Sequence, residues 1–120
     1  MVAAADALGG PATPDPGLRI DAVRYDGGVR VALRGDLDLA GVAAADAAIR
    51  DAMALPGDVT VDLAALDFIG SEGIRVVLRA RDLADGDGRA LRVIAGDGAA
   101  RRLIDILGLA ERLGVEGDGT

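Results

Sequence analysis

Few side chains in this sequence could do chemistry. Its one serine, Ser71, stands between Gly70 and Glu72, just ahead of a run with helical apolar spacing. A hydroxyl in that place has two uses. Serine is among the most favoured helix N-cap residues, and an acidic residue in the first turn, here Glu72, suits the helix dipole. The reciprocal capping box is incomplete, however, because the residue three after Ser71 is Ile74 and not Glu or Gln. The second use is modification, since backbone N–H groups and the dipole at a helix mouth favour a phosphate. The other pair is Asp36 and Asp38 in Gly35-Asp36-Leu37-Asp38-Leu39. On an extended segment the two carboxylates point the same way and could share a cation or do acid–base work. A carboxylate just ahead of a helix is more often a cap, and Asp38 is expected as an N-cap or near-cap residue.

What is missing narrows the function further. The chain has no His, Cys or Lys, and all 13 basic residues are Arg. Hydrolase triads, thiol nucleophiles, thiolate metal sites and disulfides are thereby excluded in their usual forms. With Gly88 as the glycine of a calcium loop, the first ligand position falls on Leu83, so that pattern fails. Gly96-Asp97-Gly98 lacks the third glycine of a dinucleotide fingerprint, and there is no Lys for a phosphate-binding loop. The expectation is a protein that is not an enzyme and needs no metal or cofactor. The formal net charge of −7 opposes binding to nucleic acid or to an anionic membrane surface, so the expected partner is another protein. No signal-peptide pattern and no membrane-length apolar run is visible, which points to a cytoplasmic protein without membrane insertion.

The elements that must position Ser71 follow from the periodicity. Residues 1–17, rich in Ala, Gly and Pro, read as a disordered leader, and 116–120 as a disordered tail, around one domain at 18–115. Leu18 to Tyr25, the Asp26-Gly27-Gly28 turn and the alternation of Val29, Val31 and Leu33 predict a β-hairpin. Gly41 to Ala54 predicts a helix with Val42, Ala45, Ile49, Ala52 and Met53 inward, stopped at Pro56-Gly57. A short strand, Val59 to Leu63, leads to a turn bracketed by Gly70 and Gly73. The helix after it should bury Gly73, Val76, Val77, Ala80, Leu83 and Ala84 and turn Arg75, Arg79 and Asp82 outward. Leu91 to Ala95 predicts another strand. Ala100, Leu103, Ile104 and Leu107 predict the buried stripe of a third helix ended by Gly108, with a short edge strand at Leu113-Gly114-Val115. This order implies one α/β domain: a mixed sheet of four to five strands, a hairpin followed by parallel crossovers, with the helices on one side.

The stretch Phe68-Ile69-Gly70-Ser71-Glu72-Gly73-Ile74 resembles the signature of STAS domains, in particular of anti-sigma factor antagonists, whose usual form is Phe-(Ile/Met)-Asp-Ser-(Ser/Thr/Ala)-Gly-Leu. Gly35-Asp36-Leu37-Asp38 is similar to the Gly-Glu-Leu-Asp segment near the start of those domains, and the resemblance extends over roughly Leu18 to Val115. It implies the STAS fold and a protein that binds an anti-sigma factor serine kinase when Ser71 is free and leaves it when Ser71 carries phosphate, so regulating sigma-factor-dependent transcription. It also implies a phosphatase acting on phospho-Ser71, a partner-binding face made of Asp36, Asp38, Gly70, Ser71, Glu72, Gly73 and Arg75, and a monomer when free. Two positions depart from the usual form: Gly70 replaces the acidic residue before the phosphoacceptor, and Glu72 replaces a small neutral one after it. The alternative that these departures leave open is a STAS subunit without a switch, in a lipid-transport or other regulatory complex, using the same face as a constant contact.

Overall fold

The structure is a computed structural model describing residues 17–116. Apart from Gly17 and Glu116, the expected leader and tail lie outside the described residues. In order, the elements are β1 (Leu18–Tyr25), β2 (Gly28–Leu37), a 3-10 turn (Leu39–Gly41), α1 (Val42–Met53), β3 (Asp58–Ile69), α2 (Ser71–Asp87), β4 (Leu91–Ile94), α3 (Ala99–Leu107), α4 (Ala110–Leu113) and β5 (Val115–Glu116). The strands form one sheet in the order β1-β2-β3-β4-β5. β1 and β2 are antiparallel, and every later neighbour is parallel, as a hairpin followed by helical crossovers requires.

The inner face of the sheet is built in rows. Val29, Val59 and Leu91 pair across β2, β3 and β4, as do Val31, Val61 and Val93, and all six are buried. Over them lie Ala45, Ile49 and Ala52 of α1, Ile74, Val77, Ala80 and Ala84 of α2, and Ala100 and Ile104 of α3. Small residues at the helix positions let the helices approach the β-branched rows closely, which is how a chain with one Phe, one Tyr and no Trp closes a core.

Four expectations need correction. The strand after Pro56-Gly57 does not end near Leu63 but continues to Ile69. From the pair Ala32–Asp62 to the pair Arg34–Ala65, β3 advances three residues while β2 advances two, and the same slip recurs before Asp36–Phe68. These two bulges break the period-two pattern while the ladder continues. Asp62 holds the first of them by accepting the Ala64 N–H at 2.9 Å and pairing with Arg30.

Leu83 is not part of the buried stripe of α2; it is 43% exposed. Arg81, on nearly the opposite side of the helix, turns inward instead and donates to the carbonyls of Leu91 and Leu113, each at 2.8 Å. Leu107 is also largely exposed, because α3 stops there and Gly108, with φ +69°, redirects the chain so that Leu109 returns to the core in its place. The C-terminal edge strand begins at Val115, with Leu113 closing α4 and Gly114 its left-handed C-terminal residue.

Candidate functional site

β2 and β3 end side by side, with Leu37 paired to Ile69, and the Gly70 N–H donates to the Leu37 carbonyl at 3.0 Å. Two segments distant in sequence are thus fixed at one end of the sheet: the Asp36–Gly41 stretch and the start of α2. Gly70 is the extended N-cap of α2, at φ −94° and ψ 177°, and its carbonyl accepts the N–H groups of Gly73 and Ile74. The expected turn is therefore reduced to one residue, because Gly73 already lies inside the helix. A Cβ there would come within 2.8 Å of Leu37 Cγ and 2.9 Å of Ile69 Cγ1, so a glycine is what allows α2 to sit directly on the ends of β2 and β3.

Ser71 is the first helical residue and is exposed. It does not cap α2: the cap position belongs to Gly70 and carries no side-chain hydrogen bond. The Ser71 hydroxyl makes no hydrogen bond among the described residues. The start of α2 thus presents an unengaged hydroxyl to solvent.

The other expected residues fall into two groups. Gly70, Ser71, Glu72, Gly73 and Arg75 share the mouth of α2, and Glu72 and Arg75 are exposed. Glu72 folds back toward the cap, its Oε1 lying 3.4 Å from where a Gly70 side chain would begin. Asp36 and Asp38 stand across the strand pair. Asp38 caps the 3-10 turn by accepting the Ala40 N–H at 3.1 Å, as its sequence position suggested, whereas Asp36 pairs with Phe68 on the outer face of the sheet. The two aspartates have separate surroundings, and no group of three acidic side chains converges on a metal-sized point among the described residues.

The sequence reading missed two contributors. Phe68, 50% exposed, stands beside the cap of α2 at the end of β3, and Leu39, 71% exposed, opens the 3-10 turn that follows β2 at the same end of the sheet. The Phe68 ring lies 3.7 Å from the Gly70 Cβ position. The second bulge turns Phe68 out beside Asp36 while Ile69 goes into the core. The available signal was Phe68 itself: the chain's only phenylalanine lies one residue before the inward Ile69, a phase that exposes it if the strand runs on.

No helix among the described residues is long and apolar enough to cross a membrane. The profile of the family described as "MlaB, STAS domain" matches residues 20–115. No curated protein matches. Among solved structures, the chain is similar to an anti-sigma factor antagonist from Mycobacterium paratuberculosis, with 25% identity, a TM-score of 0.77, and coverage of 91% of this chain and 92% of that one. It is also similar to the anti-sigma factor antagonist SpoIIAA in its unphosphorylated form, with 17% identity, a TM-score of 0.67, and coverage of 83% and 90%. At that identity the second likeness speaks to the fold alone. With a family profile spanning the sheet, all three crossovers and the Ser71 mouth, the chain belongs to the STAS domain family.

Proposed function

We propose that this protein is an anti-sigma factor antagonist whose binding to an anti-sigma factor serine kinase is switched by phosphorylation of Ser71. The observation that carries the reading is the free hydroxyl of Ser71 at the exposed start of α2, with two exposed apolar side chains, Phe68 and Leu39, at the same end of the sheet. Exposed aromatic and aliphatic anchors beside a reactive group suit a protein partner that must enclose that group. The structural likeness to anti-sigma factor antagonists supports the same role.

The protein supplies no catalytic group, and the chemistry belongs to the kinase. The Ser71 oxygen attacks the γ-phosphorus of ATP bound by the partner, the bond from that phosphorus to the bridging oxygen breaks, and ADP leaves. The hydroxyl proton passes to a base of the kinase. A phosphatase reverses the change by hydrolysing the phosphoserine. The modified site carries nearly two negative charges inside a contact shaped for a neutral hydroxyl. A penalty of about 3 kcal/mol from desolvation and like-charge contact weakens binding roughly a hundredfold, enough for a switch in the cytoplasm between bound and free antagonist.

A STAS subunit that binds constantly through the same face is the second reading, and Gly70 and Glu72 favour it. Gly70 removes a carboxylate that could orient the hydroxyl, and Glu72 places a permanent negative charge beside it. Variants at Ser71 separate the two. With an anti-sigma factor kinase of the same genome and ATP, Ser71→Ala should bind as wild type and take up no phosphate, while Ser71→Asp should lose much of its binding. Phosphate found only on threonine, or wild-type binding by both variants, contradicts the switch.

A further inference from the structure

We infer that Arg75 binds the phosphoryl group carried on Ser71, so that the phosphoserine is held by its own helix. This rests on the reading of Ser71 as the phosphoacceptor and assigns the residue that receives the new charge. Ser71 and Arg75 are four residues apart on α2, both exposed, and residues so spaced are neighbours on a helix surface. Helical side chains lean toward the N-terminus of their helix, so the long arginine at 75 lies over the turn that begins with Ser71. The other arginines of α2 are already committed: Arg79 to Asp46, and Arg81 to Asp85 and two carbonyls. Arg75 makes no ion pair among the described residues.

The natural competitor for Arg75 is Glu72, three residues before it, but Glu72 turns to the Gly70 side of the helix start. Asp36 and Asp38 stand across on the β2 side, and Asp38 is engaged with Ala40. A phosphate on Ser71 therefore has, one turn along its own helix, an exposed guanidinium that makes no ion pair among the described residues. Two planar N–H donors toward two phosphate oxygens is the arrangement arginine makes best. Arg75 would also offset the repulsion from Glu72, one of the two residues at which this chain departs from the usual family form.

The test installs phosphoserine at position 71 during synthesis of the full chain, so that no kinase is needed, and follows the phosphate by ³¹P NMR against pH. An ordinary phosphoserine loses its second proton near pH ~6. A guanidinium that binds the dianion lowers that midpoint. The expected result is a midpoint lower by about 0.5 pH unit or more in the wild type than in Arg75→Gln, with Arg75→Lys between them as a point charge without the fork. The Arg75 side-chain N–H resonance should shift along the same titration curve. Equal midpoints in wild type and Arg75→Gln, or an Arg75 resonance indifferent to the phosphate, overturns the assignment. A kinase that never modifies Ser71 would remove the switch reading and leave this titration unchanged, so the two failures are distinguishable.

Discussion

Phe68 and Ser71 show how little side-chain chemistry the proposed function requires. One hydroxyl accepts the phosphoryl group, and one half-exposed ring beside it provides contact area at low entropic cost. Because Phe68 touches solvent on one side, Phe68→Ala should cost the fold little, while its loss from the centre of an interface should weaken kinase binding by more than about 1 kcal/mol. Denaturant unfolding and calorimetric titration of the same preparation check the two halves of that statement. The capping role of Asp38 was legible from residue type and position alone. The freedom of the Ser71 hydroxyl was not, because a serine followed by Glu at a helix start reads equally as a cap. The chain settles the choice by placing Gly70 at the cap and Ser71 one residue later, a difference that local propensity does not resolve.

At the scale of elements, the site depends on how β3 ends and α2 begins. Gly73 lets the helix rest on Leu37 and Ile69, so Gly73→Ala should force the helix away from the strand ends and destabilise the fold by about 1–3 kcal/mol, although alanine is the better helix former. A thermal or urea midpoint reads the loss, and unchanged stability would mean that α2 has room to shift. Asp62 is the second support, since it satisfies the Ala64 N–H at the first bulge and faces Arg30. Asp62→Leu should leave that N–H unpaired and cost about 1–3 kcal/mol, and the amide of Ala64 should lose its protection from hydrogen exchange. Strands, helices and most inward residues were readable because their periods are undisturbed. The bulges hid the second half of β3, since each inserted residue flips the alternation, and a reader following period two stops at Leu63. Leu83 departs from its expected place for another reason: the apolar spacing does not reveal that Arg81 finds carbonyl acceptors inside while Leu83 stays exposed.

For the whole molecule, the parallel sheet gathers the Asp36–Gly41 segment and the mouth of α2 at the carboxyl ends of β2 and β3, where open α/β sheets commonly place their binding residues. The alternating runs and glycine turns made that arrangement visible from the sequence, because each crossover leaves the chain only one neighbouring strand position to fill. The exposed apolar surface proposed for the partner was less legible, since the exposure of Leu39 and Phe68 does not follow from their types. Phosphate adds to a chain that already carries a net charge of −7, and that further negative charge weakens contact with an acidic rim on the partner. The central claim is that phosphate on Ser71 releases the kinase, and the most direct measurement is the affinity of an anti-sigma factor kinase of the same genome for two forms of the protein. The unmodified chain and the chain carrying phosphoserine at 71 are titrated into the kinase by calorimetry under identical salt and nucleotide. The account predicts binding weaker by roughly a hundredfold for the phosphorylated form; equal affinities for the two forms would contradict it.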